Sequence, residues 1–284
     1  MGEFVTRDGC TIRYQDTEAA PGRSDETIVL LSGWSQTAAM YDRLVKVLDG
    51  RYRTVVYDYR NHGRSGASDN GARIASLATD LRELLDHLGI TRAHLTGNSM
   101  GCSVLYSFVD LYGTERVRSL VLIDQPSVCA LVPWLTQEDA GEVGAIMDFA
   151  GAAGFVEGLL GPDAEAVRRN FLRSMVFDDI SEEDFAYLLE QNMTLRMPYG
   201  ARLVLDHVMQ DWRDVLPRID VPTLVTGGKL SHVDATSQRW IAGQIPGAQL
   251  EVFTRAEGGD HFPFFENPEH FAAVYTRFID SVAT

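Results

Sequence analysis

Short apolar runs that alternate with stretches of helical period constrain this chain more than any other feature. Thr27-Ile28-Val29-Leu30-Leu31 is apolar at consecutive positions, as a strand buried on both faces must be. Further strands are expected at 3–6 and 11–15, joined by the Asp8-Gly9 turn, and at 54–58, 93–96, 117–123, 223–226 and 249–253. Between them, Ile74, Leu77, Leu81, Leu84, Leu85 and Leu88 recur at helical spacing in 73–88, with Gly89 as the stop. Helix-like stretches also cover 38–48, 100–112, 235–244 and about 268–282. Strands alternating with helices imply an α/β fold: a mostly parallel sheet with helices on both faces. The alternation breaks between about 127 and 213, where only helix-like and irregular segments are expected. The reading is therefore a core of 1–126 and 214–284 with a helical lid, 127–213, inserted over one edge of the sheet.

The chain has 284 residues and a net charge of −15. That charge argues against nucleic acid, whose binding rests on Lys and Arg neutralising phosphates, and against anionic membrane surfaces. No apolar run approaches the ~18 residues of a spanning helix. The N-terminal residues lack the basic flank and long apolar core of a secretion signal. Cys10, Cys102 and Cys129 are odd in number and far apart, and they read as free thiols in a reducing compartment. A cytoplasmic monomer or homodimer is expected. No pair of His or Cys has ligand spacing, and no phosphate loop or dinucleotide fingerprint occurs, so neither metal nor cofactor is expected.

Gly97-Asn98-Ser99-Met100-Gly101 matches G-x-S-x-G, and it falls directly after an expected strand and directly before an expected helix. Small residues flank the serine so that the backbone can turn sharply, which lifts Ser99 into the open above a helix N-terminus. A serine hydroxyl needs a neighbouring base. His261, in the loop Gly258-Gly259-Asp260-His261-Phe262-Pro263 after the last strand, is best placed. His270 and His87 fall in helices, His94 opens a strand, and His207 lies in the lid. His62 is in a loop near the site, where it either touches substrate or holds structure.

These residues, with Ser32-Gly33-Trp34 after the third strand and Asp58 with the Arg60–Ser65 loop, make the chain resemble the α/β-hydrolase family along nearly its whole length. In most of that family the catalytic acid ends the strand equivalent to 223–227 in a G-x-x-D pattern. Here that register reads Gly228-Lys229-Leu230-Ser231. Some branches, including certain lactonases and cofactor-free dioxygenases, carry the acid on strand six, where this chain has Asp124. The expected triad is therefore Ser99, His261 and Asp124, with Asp234 as the alternative acid.

The resemblance further implies an oxyanion hole from the N–H groups of Met100 and Trp34, although the usual family residue at position 32 is His. Asp58 and Arg60 are expected to brace loops. The lid offers Trp134, Met147, Phe149, Phe155, Phe171, Met175, Phe177, Tyr187 and Met193. Trp34, Trp134, Phe155 and Phe262 are the expected substrate contacts, suited to a small hydrophobic ester, lactone or aromatic compound. The function so implied is ester or lactone hydrolysis through an acyl-enzyme, with haloperoxidase-like perhydrolysis open to the same serine as a side reaction. Two alternatives stand beside it. One is cofactor-free dioxygenation of a 3-hydroxy-4-quinolone, although Asn98, Met100 and Gln36 stand where those relatives carry histidines. The other is a non-enzymatic binder on the same scaffold.

Overall fold

The computed structural model describes residues 1–283. Eight strands form one sheet: β1 (Gly2–Val5), β2 (Thr11–Thr17), β3 (Thr27–Leu31), β4 (Arg53–Tyr57), β5 (Ala93–Asn98), β6 (Val117–Ile123), and, after a long excursion, β9 (Thr223–Gly228) and β10 (Gln249–Phe253). Their spatial order is β1-β2-β4-β3-β5-β6-β9-β10. The first two pairings are antiparallel, and all pairings from β4 onward are parallel. The strands expected from the sequence are all present, most with ends shifted by one or two residues. β5 runs on to Asn98, past the expected end at 96, because its pairing with β6 carries Gly97 and Asn98 into register with Leu122 and Ile123.

The period of two along the central strands sorts their side chains into two cores. Val29 and Leu31 of β3, with Leu120 and Leu122 of β6, pack with α2 (Ile74–His87), α3 (Met100–Tyr112) and α9 (Ala235–Gln244). Ile28, Leu30, Val121 and Ile123 point the other way, toward α1 (Asp42–Leu48), α10 (Pro263–Glu266) and α11 (Pro268–Val282). Both faces are thus covered, which explains why β3 is apolar without alternation. The helix-like stretch 38–48 divides into a 3-10 turn at Ala38–Tyr41 and α1.

Between β6 and β9 the chain leaves the sheet and forms α4 (Gln137–Val143), α5 (Phe149–Leu160), α6 (Ala164–Arg173), α7 (Glu182–Met193) and α8 (Tyr199–Val208). It also forms two residue pairs of parallel strand, β7 (Ala130–Leu131) with β8 (Met147–Asp148), in a region expected to hold only helical and irregular segments. A two-residue strand is too short to leave any periodicity in sequence. Residues of α5 and α8 join the first core, whereas Leu172, Met175 and Leu188 join the second. The helical segment is therefore packed onto both halves of the molecule. Among the described residues no helix is long and apolar enough to cross a membrane, and no group of three or more His, Cys, Asp or Glu side chains could hold a metal ion. Cys10, Cys102 and Cys129 are buried free thiols.

Candidate active site

The turn at Ser99 is as tight as the motif requires. Ser99 has φ +54° and ψ −125°, a conformation that a side-chain-bearing residue adopts only when its surroundings enforce it. Here the enforcing contacts are backbone to backbone. A Cβ on Gly97 would lie 2.5 Å from the carbonyl carbon of Gly101, and one on Gly101 would lie 2.5 Å from the carbonyl oxygen of Leu31. No side chain fits at either place, so the strand and helix meet closely and Ser99 is pushed out at the carboxyl edge of the sheet. The serine N–H donates to the Ile123 carbonyl at 2.9 Å, tying the turn to β6. Met100, the next residue, opens α3, whose leading N–H groups have no partner within the helix.

Asp124 follows β6 directly and is fully buried, also at positive φ, +53°. Its Oδ2 lies 2.7 Å from Nδ1 of His261. Two further donors hold the carboxylate: Gly228 N–H donates to Oδ1 at 3.2 Å, and the Ser231 hydroxyl donates to Oδ2. Ser231 occupies the register where most of the resembling family has its acid, and its hydroxyl donates to Asp124, the acid expected from the sequence. Asp234, the alternative acid, is exposed and serves as N-cap of α9, accepting from Thr236 N–H.

His261 is 1% exposed, and its Nε2 has no hydrogen-bond partner. Among the hydrogen bonds that hold its loop, two involve the His261 backbone. The Asn98 side chain donates to the His261 carbonyl at 3.1 Å, and the His261 N–H donates to Asp260 Oδ1 at 3.0 Å. Asp260 is pushed up to about 7, first by burial and then by the neighbouring Asp124. Glu266 is pushed up to about 9 by burial and by Asp260.

The other histidines separate by their partners. Ser35 N–H reaches Nε2 of His62 at 3.3 Å, and Nδ1 of His62 lies 3.0 Å from the Arg60 carbonyl. Both ring nitrogens are thus spent on loops, and burial lowers this imidazole to about 4. His62 braces the turn that carries Trp34. Asp58 accepts from the N–H groups of Ala38 and Arg64, and Arg60 pairs with Asp8 and Asp80. His94 is bonded to Ser119 and Glu26, and His87 packs on Phe4 and Tyr14. His270 is half-buried beside Glu257.

Ser99 and His261 line one narrow cavity with Gly33, Trp34, Gln36, Gln125, Phe262 and, from the helical segment, Met147, Phe171, Met175, Val204 and His207. Trp34 is held rigidly: its indole N–H donates to the Gly200 carbonyl at 2.9 Å, and Phe155 and Phe171 meet its ring edge-on. Phe155 therefore stands behind the lining. Trp134 lies outside it, 66% exposed between β7 and α4, and Phe149 is also largely exposed. The sequence showed these aromatics but not which way each would face.

His232 also lines the cavity, its ring centroid 4.5 Å from that of His261. It belongs to no motif, so only the folded chain brings it into view. Ser231 did carry a signal, being a hydroxyl at the register of a missing acid.

A family model described as alpha/beta hydrolase fold matches residues 26–268. A non-heme chloroperoxidase of Kitasatospora aureofaciens is 30% identical over 279 residues, covering 90% of each chain. A 3-oxoadipate enol-lactonase of Acinetobacter baylyi is 25% identical over 284 residues, covering 98% of this chain and 97% of the relative. Among solved structures, an esterase from Exiguobacterium antarcticum matches with a TM-score of 0.86 at 22% identity, over 99% of this chain and 100% of that one. At that identity the match speaks for the fold. Strand order, the serine turn, and sequence matches across nearly the full length lead to one assignment: the chain belongs to the α/β-hydrolase fold family.

Proposed function

We propose that this protein hydrolyses carboxylic esters or lactones of small hydrophobic molecules through an acyl-enzyme on Ser99. One observation carries the reading. The His261 imidazole is bonded to Asp124 through Nδ1 and keeps Nε2 unpartnered, beside the cavity that Ser99 also lines. With Nδ1–H donating to the carboxylate, Nε2 is fixed as the basic nitrogen.

The steps follow from that tautomer. His261 Nε2 takes the Ser99 proton as Oγ bonds to the substrate carbonyl carbon. The oxygen of that carbonyl becomes an oxyanion and is met by the N–H groups of Met100 and Trp34. Collapse of the tetrahedral species breaks the ester bond, and the leaving alkoxide takes the proton from the imidazolium. Water then attacks the acyl-Ser99 ester while His261 removes its proton. The second collapse returns that proton to Ser99 Oγ and releases the acid. Asp124 stabilises the imidazolium at both stages, and Ser231 and Gly228 keep it oriented.

In this reading the helical segment is a cap. Its Met147, Phe171 and Met175 complete an apolar wall with Trp34 and Phe262, which suits a hydrophobic acyl chain or ring. The Ser99–His261 hydrogen bond, absent here since Nε2 has no partner, forms as substrate closes the site. The decisive comparison is a panel of p-nitrophenyl esters of varied chain length, and a lactone panel, on wild type and Ser99→Ala. Wild type turns over members of at least one panel, and Ser99→Ala loses a factor on the order of 10⁴ or more in kcat. Full activity of Ser99→Ala would exclude the covalent route.

The unpartnered Nε2 also favours a second reading, in which the His261–Asp124 pair abstracts a proton from a bound 3-hydroxy-4-quinolone and Ser99 only binds. Oxygen uptake with carbon monoxide release would identify it, and a hydrolytic product would reject it.

A further inference from the structure

The cavity has mostly apolar walls, and although the Gln125 amide N–H and the Trp34 indole N–H are paired inside the protein, three other side chains that reach it carry unpartnered polar atoms. Gln36 is 2% exposed, and neither Nε2 nor Oε1 of its amide has a hydrogen-bond partner. His207 is 6% exposed. Its Nε2 lies 3.9 Å from the Cys129 sulfur, while its Nδ1 is unpartnered. His232 Nδ1 is buried and unpartnered as well. These side chains reach the same cavity from three places: the loop after β3, helix α8 and the turn after β9. Buried amides and imidazoles without partners are rare in folded proteins and destabilising. Their convergence on a substrate cavity marks a place where a ligand completes the bonding.

The charge of the cavity narrows the ligand. No Lys, Arg, Asp or Glu is among its lining residues. Burial lowers His207 to about 3, and burial together with the adjacent His261 holds His232 well below its ordinary value. Both rings are therefore uncharged at neutral pH. A buried carboxylate would find no cation here and would be strongly disfavoured. An amide or imidazole can donate to a ketone or amide carbonyl at no such penalty.

Resting on the reading of Ser99 as the nucleophile, we infer that the substrate is an uncharged ester or lactone whose hydrophobic body carries a neutral carbonyl or amide group, recognised by Gln36 and His207, and that carboxylate-bearing analogues are rejected. Trp34 and the methionine wall hold the apolar part. Gln36 and His207 act as specificity residues, since neither is placed to move a proton of the reaction.

The test uses p-nitrophenyl esters of hexanoic acid, of 4-oxo- and 5-oxohexanoic acid, and the monoester of adipic acid. For wild type, kcat/KM for at least one oxo ester exceeds that for the hexanoate by about tenfold or more, and the adipate monoester falls below the hexanoate by a similar factor. In Gln36→Leu and in His207→Leu the ratio of oxo ester to hexanoate drops toward one, with the change in KM. Wild type that turns over the hexanoate but shows no oxo preference, or that accepts the adipate monoester equally well, overturns this inference and leaves Ser99 as nucleophile. An unchanged ratio in both variants also overturns it. Failure of wild type on all four esters, with Ser99 inert to a fluorophosphonate, overturns both readings together. The first comparison uses wild type alone, so a poorly folded variant does not leave the question open.

Discussion

The carboxyl edge of the sheet and the helical segment that faces it are built on opposite terms. At the sheet edge the carboxylates and the bracing histidine are engaged, Asp124 by Gly228, Ser231 and His261, His62 through both nitrogens, and Asp58 by two backbone N–H groups, while Gln36, His232 and His261, which face the cavity, keep unpartnered atoms. Backbone strain is concentrated there too, with Ser35, Ser99 and Asp124 all at positive φ. On the side of the helical segment the wall is apolar, made by Ile146, Met147, Phe171, Met175, Val204 and Val208, and the polar group it contributes, His207 Nδ1, is unpartnered. In the proposed reaction the first region fixes the geometry, and the cavity between the two is left for a ligand to complete. Chemistry tolerates little displacement, whereas selection of a substrate body tolerates adjustment of flexible side chains.

Removing the acid is the strongest way to break that contrast. Asp124→Asn leaves the shape intact but turns the His261 tautomer against its task, and kcat on the best ester falls by a factor of about 10³–10⁴. If the edge is a closed network with one acid position exchanged for another, the double variant Asp124→Asn with Ser231→Asp recovers at least about tenfold of that loss. Steady-state kinetics of the two variants decide the matter. No recovery, with both proteins folded by circular dichroism, would mean that Ser231 is not interchangeable with the acid.

A smaller effect tests the apolar wall. Phe171→Ala opens the cavity beside Trp34 and raises KM for long-chain esters by about tenfold, in line with the loss of ~1–3 kcal/mol of apolar contact. Trp134→Ala, on the outer surface, changes KM by less than about twofold. Equal effects from the two variants would show that the wall is not what selects the acyl part.

The smallest effect concerns stability. Glu266, next to the His261 loop, has both carboxyl oxygens buried and holds its proton to about 9, chiefly because of that burial. An unfolded glutamic acid releases its proton near ~4.3, so across that window the folded state binds more protons and stability falls as pH rises. Glu266→Gln removes this slope. Its Tm exceeds that of wild type by a few degrees at pH 9, with the gap closing toward pH 5. A gap of constant size across that range would place the cause elsewhere.

Sequence made the sheet edge legible because sterics and register leave few choices there. Gly97 and Gly101 are dictated by backbone contacts, and the missing acid at Ser231 directed attention to Asp124. The facing segment was opaque for the same physical reason reversed. A large apolar side chain on a short helix or in the turns between helices can face inward or outward without leaving a period, so Phe171 and Met175 reach the cavity while Trp134 reaches solvent. His232 enters the site only because β9 ends beside β6, and Gln36 only because the loop after β3 turns back over Ser99. No local pattern encodes either.

The proposed reaction turns on a covalent bond to one oxygen atom, Ser99 Oγ. Acid-quenched mixtures of wild type with an excess of a reactive p-nitrophenyl ester, digested and analysed by mass spectrometry, should carry the acyl mass on the peptide that contains Ser99, together with a burst of p-nitrophenol near one equivalent per chain. Rapid turnover with no burst and an unmodified Ser99 peptide at every quench time would contradict the account.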